Sequence, residues 1–222
     1  MFTKNGASRP LKNYESIIFV LIGLALNGIG NGIAVTTGMG SAAWTAASAN
    51  LQVITLIPKG YFLFLFGFLS ALSVIILTKK FDLKHFIGNM LFVLFFSYLV
   101  NFASQFFIIF SDFPLVIRII IDALSVVVVG TGISITMRVS LITHPLDDLV
   151  IYTRFRYFKG NPLISQVVNF SFPMVISLLI WITTGKITSI NIGTLFSFFG
   201  IGAVIGWADD HVMPSLVYRR SL

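Results

Sequence analysis

Two charged side chains stand inside an apolar segment and are the first candidates for chemistry. Arg118 and Asp122 lie in the apolar run that begins after Pro114. Four residues apart on a helix, they share one face and can form an ion pair. Ionisable groups inside the hydrocarbon region usually face the bundle interior and often mark the path of an ion or solute. We therefore predict that Asp122 couples transport to a proton or cation. The alternative is a structural role, in which Arg118 extends its head group to the outer water interface.

A second pair of polar side chains has the same helical spacing. Asn27 and Asn31 lie four residues apart among the glycines of the first apolar segment. Amides on one helix face can line a polar cavity, so we predict that both belong to the same substrate or ion pathway as the charged pair. Amides and Gly-x-x-x-Gly patterns also hold helices together in lipid, and plain helix packing is the alternative.

Two short stretches follow the first and fourth apolar segments and interrupt the helical pattern. The first contains Gly40, Ser41 and Trp44, and the second contains Pro145 and Asp147 followed by another aspartate. Such residues can unwind a helix and turn backbone groups toward a cavity, where nonhelical backbone is tolerated at membrane depth. The alternative is an interfacial turn before a surface helix. In that case Trp44 joins the interfacial aromatic residues, and the acidic pair sits at a helix N-terminus, where negative charge is favoured.

These two stretches also carry a resemblance to a known family. The chain resembles the YczE/YitT-like family of uncharacterised bacterial membrane proteins, in which a Gly-rich first span leads to a Gly-x-x-Pro-Trp-Asp-like motif. In the first copy, Ala43 and Thr45 stand where the motif has Pro and Asp. The resemblance implies a polytopic cell-membrane protein of unassigned activity and carries over no catalytic residue. The matching residues are Gly40, Ser41 and Trp44 in the first copy and Pro145 and Asp147 in the second.

Residue types suited to catalysis, metal binding or nucleic-acid binding are sparse. The chain has no cysteine, which excludes disulfides, iron–sulfur ligation and thiol catalysis. Ser41 would need a general base, yet His85, His144 and His211 are predicted at the opposite, cytoplasmic edge. Because the sequence also lacks metal-ligand and phosphate-binding motifs, we predict no enzyme activity, no metal and no cofactor. The basic residues lie between apolar segments, which argues against nucleic acid as a partner.

The elements that must position these residues are membrane-spanning helices. Of the 222 residues, 56% are hydrophobic and 10% are charged, whereas ordinary soluble domains have about a quarter charged residues. About 20 mostly apolar residues cross the hydrocarbon layer. We therefore predict an all-α helical bundle in one membrane domain, residues 1–222. We predict six spans, at roughly 16–37, 61–78, 86–110, 114–137, 163–183 and 190–207. The Gly-rich sixth span is expected to be broken or tilted, and five full spans are the alternative.

The distribution of Lys and Arg predicts the orientation, because short cytoplasmic loops are enriched in these residues. We predict a multi-pass protein of the cell (inner) membrane with both termini in the cytoplasm. The outer loops then hold Lys59 and Lys186. The segment 148–159, which interleaves aromatic residues with cations, is expected to lie on the membrane surface against anionic lipid. The cytoplasmic segments hold Lys4, Arg9, Lys12, Lys79, Lys80, Lys84, Arg138, Arg154, Arg156, Lys159, Arg219 and Arg220.

The chain also resembles itself at an offset of about 102 residues. The two halves, residues 1–110 and 111–222, each contain three spans, an odd number, so the second copy enters the membrane from the opposite side. Such inverted repeats are typical of secondary transporters. Chance similarity between apolar helices is the alternative. The matches set Gly28 and Gly30 on Gly130 and Gly132, Ser41 on Thr143, and Ile87-Gly88-Asn89 on Ile192-Gly193-Thr194.

These features together predict a small transporter-like permease that moves a small solute or ion through the lipid bilayer. The alternative is a noncatalytic membrane partner, or a solute-binding subunit, of a larger transport or biosynthetic complex. Such a protein would bind its partner through its small-residue helix faces and the basic cytoplasmic loop, and a second copy of the chain is also a candidate partner. A permease should have a polar cavity near the middle of the bundle, lined by both halves.

Overall fold

The computed structural model describes residues 1–4, 7–186 and 189–218. Two of the predicted cytoplasmic cations, Arg219 and Arg220, lie outside the described residues. A 3₁₀ helix, Ile108–Asp112, and a short antiparallel pair of strands, β1 Phe2–Lys4 and β2 Ala7–Arg9, accompany the α-helices. The α-helices of this part are α1 Asn13–Thr37, α2 Ala43–Thr55, α3 Lys59–Thr78, α4 Leu83–Phe106, α5 Leu115–Val139, α6 Pro145–Arg156, α7 Pro162–Thr184 and α8 Ile192–His211.

Six of these helices, α1, α3, α4, α5, α7 and α8, are long and apolar enough to cross a membrane. The prediction of an all-α bundle with six spans is therefore confirmed. The expectation of a broken sixth span is wrong, because α8 runs without interruption from Ile192 to His211 despite its glycines. The third span ends at Phe106, earlier than predicted, because the chain tightens there into the 3₁₀ helix.

The distribution of polarity is that of a protein surrounded by lipid. Large apolar side chains such as Phe64, Phe95 and Ile182 lie exposed on the outward faces of the long helices. The interior instead contains polar side chains, among them Asn27 and Gln166, both buried. In lipid the outward faces need no charge, while polar side chains lie in the bundle interior, away from the hydrocarbon. The chain is thus a multi-pass membrane protein.

Two helices, α1 and α5, cross at the centre of the bundle. A Cβ atom added at Gly132 would lie 2.6 Å from the carbonyl oxygen of Gly23, and one added at Gly23 would lie 2.8 Å from that of Gly132. Small residues allow backbones to approach this closely. Around the crossing, α4 packs against α1 and α8 packs against α5. The two short helices, α2 and α6, each pack between α3 and α7.

At each end of the bundle, one hydrogen bond joins the segment after a central helix to a neighbouring helix. The backbone N–H of Ser41, after α1, donates to Oγ1 of Thr194 in α8 (3.2 Å). The backbone N–H of Thr143, after α5, donates to Oδ1 of Asn89 in α4 (3.1 Å). The self-comparison of the sequence sets Ser41 on Thr143 and Asn89 on Thr194. The contacts of the two halves therefore correspond at these positions.

The chain termini distinguish one end of the bundle from the other. Phe2 bridges Leu216, and the N-terminal amine of Met1 donates to the carbonyl of Val217 (2.8 Å). We call this end, which also holds the start of α4 and the end of α5, the termini end. The opposite end, which holds the end of α1 and the starts of α3 and α5, is called the far end. In the predicted orientation the termini end is cytoplasmic.

Candidate functional site

A cavity of about 70 Å³ lies beside the crossing of α1 and α5. We call it the central cavity. Its wall combines residues of both halves, and each of the eight α-helices named above contributes to it. The lining residues are Asn27, Asn31, Ala42, Trp44, Thr45, Leu63, Phe96, Val129, Ile133, His144, Leu146, Asp147, Phe170 and Ile201.

The two amides of α1 form one polar side of the central cavity. Nδ2 of Asn31 donates to both Oδ1 and the backbone carbonyl of Asn27, each at 2.9 Å. These hydrogen bonds stay within α1, whereas the packing alternative requires amides that bridge helices. Within the described residues, Oδ1 of Asn31 has no hydrogen-bond donor. The structure thus brings both predicted amides to the cavity wall and leaves one carbonyl oxygen for a ligand.

The start of α6 forms the other polar side. Asp147 lies in the first turn of α6, is 7% exposed, and accepts no hydrogen bond from the described part of the chain. Burial, helped by the charge of Asp148, raises the pKa of Asp147 to about 7. His144, predicted at the cytoplasmic edge, instead lines the cavity and caps α6 through Nδ1, which accepts from the Leu146 N–H (3.3 Å). Burial lowers the pKa of His144 to about 4, so it supplies no positive charge to Asp147 at neutral pH.

Trp44 does not lie where the interfacial alternative would place it. It is 8% exposed and packs against Phe66, with 5.2 Å between ring centroids, rather than among interfacial aromatic residues. The reason is that α2 lies between α3 and α7 and not on the membrane surface. Its indole N–H is buried without a hydrogen-bond partner. The first junction motif therefore supplies an aromatic wall and an unused donor to the central cavity.

Asp122 and Arg118 lie toward the far end and do not form the ion pair that their spacing allows. Nη1 of Arg118 donates to the carbonyl of Thr37 at the end of α1 (3.1 Å). Oδ1 of Asp122 accepts from Oγ1 of the same Thr37 (3.2 Å), and its Oδ2 has no partner. Asp122 lines a separate cavity of about 20 Å³ together with Ser41 and Gly40. We call this the Asp122 cavity; Asn31 lies on its wall and on that of the central cavity.

A wider opening of about 260 Å³ leads from the far end toward the central cavity. Lys59 and Ser104 line it where α3 begins and α4 nears its end. It shares Asn31, Thr45 and Phe96 with the central cavity. We call this opening the far vestibule. Because Asn31 lies on the walls of all three spaces, it marks the point where they meet.

At the termini end, the structure contains a polar cluster that the sequence interpretation missed. The guanidinium of Arg138 is fully buried and donates to the carbonyls of Met213 (3.1 Å) and Leu216 (3.0 Å). Arg154 pairs with Asp209, with 2.8 Å between Nη2 and Oδ2. The prediction that segment 148–159 meets lipid is therefore wrong for Arg154, which is buried. Asp209 contacts both arginines. As an acidic residue at the end of α8, close to basic segments, it was the available sequence signal for this cluster.

Comparison with known proteins gives a family and one relative. A family model described as "Family of unknown function (DUF6198)" matches residues 14–210, which include every candidate site residue. An uncharacterized protein of Haemophilus influenzae is 24% identical over 209 residues, which is 93% of this chain and 90% of that protein. No solved structure matches the chain. These matches support an uncharacterised family and do not extend to the YczE/YitT-like name.

Proposed function

This chain belongs to DUF6198, a family of unknown function, and we propose that it is a small permease that binds a solute in the central cavity. The observation that carries the proposal is the composition of the wall. Helices of both halves meet at one small space that contains amides and an acidic side chain with no basic partner. Secondary transporters bind their substrates in such a place, at the interface between two repeats.

We also propose that the two halves of the permease, residues 1–110 and 111–222, form an inverted repeat. Matching contacts support it: a Cβ atom at Gly28 would meet Leu99, and one at Gly130 would meet Val204. The central cavity would then lie on an approximate two-fold axis, and rocking of the halves would change which end reaches it. Residues at equivalent positions both line this cavity, namely Asn27 and Val129, Asn31 and Ile133, Ala42 and His144, Trp44 and Leu146, and Thr45 and Asp147.

The accessible side of the proposed binding site is the far end. The far vestibule shares wall residues with the central cavity. At the termini end, a groove of about 350 Å³ is lined by His85, Asn89 and Asp148 and shares no lining residue with the central cavity. These three groove residues are bonded to one another: Nε2 of His85 lies 2.8 Å from Oδ2 of Asp148, and this oxygen also accepts a hydrogen bond from Asn89 (3.1 Å). We therefore propose that this conformation is open toward the far end, with the termini end in the cytoplasm of a cell (inner) membrane protein.

The chemistry of the central cavity favours a small polar cation as solute. The carboxylate of Asp147 and the amide oxygen of Asn31 are acceptors without protein donors, and no basic side chain pairs with either in the described chain. A buried negative charge without a partner is costly, so it favours a positively charged ligand or a proton. The volume of about 70 Å³ is well below the roughly 300 to 1,000 Å³ of sites for drug-sized ligands, so a small amine fits the proposal.

The test is ligand binding and uptake by the purified chain. A panel of small amines should raise the thermal unfolding midpoint, because a ligand that binds only the folded state stabilises it. A stabilising amine should then accumulate in proteoliposomes that contain the protein. Asp147→Asn should abolish both effects, whereas Asp148→Asn, which removes the same charge one residue away, should retain binding. Equal loss in both variants, or binding that persists without Asp147, would contradict the assignment.

A second candidate function is a noncatalytic partner of another membrane protein. A largely apolar groove of about 490 Å³ runs between α3 and α7, where Phe66, Ile76 and Phe172 line it. Such a groove favours an apolar helix of a partner or a lipid chain. Co-purification of a stoichiometric partner, together with silence of the amine panel, would favour this function over transport.

A further inference from the structure

The Asp122 cavity presents acceptor atoms and few free donors. Oδ2 of Asp122 is buried without a partner, and so is Oγ of Ser41. The hydroxyl of Ser125 donates to the carbonyl of Asp122 (2.6 Å), and that of Ser197 donates to the carbonyl of Thr194 (2.9 Å). Because these two hydrogens are already used, both hydroxyl oxygens keep lone pairs for the cavity. The polar part of the wall therefore consists of the carboxylate of Asp122, three serine hydroxyls and the amide of Asn31, and the rest of the wall is apolar.

The charge of Asp122 has no counterpart within the described residues. The ion pairs found there join other residues, and the guanidinium of Arg118 donates to the carbonyl of Thr37 instead. Asp122 is 2% exposed, so water does not compensate the charge either. Intramembrane carboxylates are costly and are normally paired or occupied. A single carboxylate is neutralised by one monovalent cation, whereas a divalent cation would leave a positive charge buried.

The size of the cavity limits what this cation can be. About 20 Å³ accommodates one particle of about the size of a water molecule. Hard cations prefer carboxylate, hydroxyl and carbonyl oxygens as ligands. Gly193 keeps the space open, because a Cβ atom at this position would lie 2.4 Å from Oδ2 of Asp122. An organic amine is too large for this volume, and oxygen ligands around a carboxylate favour a bare metal ion.

We infer that the Asp122 cavity is a binding site for a small monovalent metal cation, with sodium as the ion that fits best. Asp122 supplies the balancing charge, and the hydroxyl oxygens of Ser41, Ser125 and Ser197 supply neutral ligands. The site joins the first junction to α5 and α8, so the cation would hold parts of both halves together. It adjoins the central cavity at Asn31 but has its own acid, Asp122, and the inference stands whether or not the central cavity binds a solute.

The experiment measures thermal unfolding of the purified full chain in detergent, without any solute. Sodium chloride replaces choline chloride at constant ionic strength, and the unfolding midpoint is followed as sodium increases. The wild-type midpoint should rise and saturate with sodium but not respond to choline. Asp122→Asn should lose the response, while Asp112→Asn, which removes an exposed carboxylate, should keep it.

A second variant keeps the test decisive if Asp122→Asn does not fold. Ser41→Ala removes a ligand whose hydroxyl has no other partner, so it should raise the half-saturating sodium concentration about tenfold, the effect of one lost neutral contact. Thr143→Val is the matched control, because its hydroxyl is also buried and unpaired but does not line the cavity. Equal sodium responses in these two variants would overturn the inference.

Two other outcomes would also overturn it. Stabilisation by choline as much as by sodium, persisting in Asp147→Asn, would mean that the effect is one of ionic strength, because this variant lacks the acid that could bind choline in the central cavity. A midpoint that responds to pH but never to sodium would mean that Asp122 holds a proton instead of a metal ion. With Asp147→Asn as background, neither outcome bears on the amine-binding test of the central cavity.

Discussion

Replacing Asp147 by asparagine should stabilise the protein, and the gain should depend on pH. Burial raises the pKa of Asp147 to about 7, whereas an aspartate in an unfolded chain has a pKa of about 3.9. Between these two values the folded protein binds more protons than the unfolded chain, so its stability falls as the pH rises. The neutral amide of the variant has no proton to lose and escapes this penalty.

The magnitude follows from the difference between the two pKa values. About three pKa units correspond to about 4 kcal/mol, which is the full penalty above pH 7 and an upper limit. At pH 5 most of it has not yet developed, and the penalty is about 1.5 kcal/mol. For a chain of this length, 1 kcal/mol shifts the midpoint by about 2 to 4 °C. The gain of the variant should therefore reach roughly 8 to 16 °C at pH 8 and be much smaller at pH 5.

The assay is thermal unfolding of wild type and Asp147→Asn in the same detergent at several pH values. Burial lowers the pKa of His144 to about 4, below the value of about 6.5 in an unfolded chain. His144 therefore adds a pH slope between these two values, but both proteins contain it, and it cancels in the difference between wild type and variant. Asp148→Asn is the control, and it should destabilise the protein, since its carboxylate accepts from Asn89 and pairs with His85. A constant difference between wild type and Asp147→Asn from pH 5 to pH 8 would refute the account of Asp147 as a buried acid without a partner.

Three further substitutions test the packing that surrounds the cavities. Gly132→Val should destabilise the protein by about 1 to 3 kcal/mol, because the new side chain would press on the backbone of α1; Gly60→Ala, with no atom within 4 Å of the added methyl, should be neutral in the same thermal assay. Arg138→Met should cost about 3 to 5 kcal/mol and expose the segment after α8 to limited proteolysis, because it removes the hydrogen bonds to the carbonyls of Met213 and Leu216. Unchanged protection would show that these hydrogen bonds do not hold the segment in place. Asn89→Leu should cost about 1 to 3 kcal/mol in thermal unfolding, because the buried N–H of Thr143 loses its acceptor.

The membrane helices were predictable because lipid imposes a strong and local constraint. Each span needs its own long apolar run, which residues elsewhere in the chain cannot supply. The apolar runs alone therefore indicated six helices. Their ends were less certain, since local turns decide them. The 3₁₀ helix Ile108–Asp112, for example, shortens the third span without changing its hydrophobicity. Glycine was misread in α8, because neighbouring helices use Gly202 for close packing and not for a break.

The site was only partly predictable, because its parts come from distant segments. Helical spacing brought Asn27 and Asn31 together correctly, since four residues make about one turn. The same rule suggested an Arg118–Asp122 pair, but the end of α1 offers Arg118 a carbonyl that only the fold brings near. The interfacial alternative placed Trp44 at the surface, and the pattern of segment 148–159 placed Arg154 there, because the burial of α2 and α6 between longer helices depends on the fold. Tertiary packing therefore decided each of these outcomes.

The chemistry of the cavity walls bears on how a permease built this way would work. In the proposed repeat, equivalent positions line the same cavity but differ in polarity: Asn27 is equivalent to Val129, and Asp147 is equivalent to Thr45. A symmetric wall would bind the same ligand equally in both orientations of the halves. The wall of the central cavity is not symmetric, because its amides lie on the long helix α1 of the first half and its acid lies on the short helix α6 of the second half. Movement of the halves would then change the distance between acid and amides, and with it the affinity for a cation at each end.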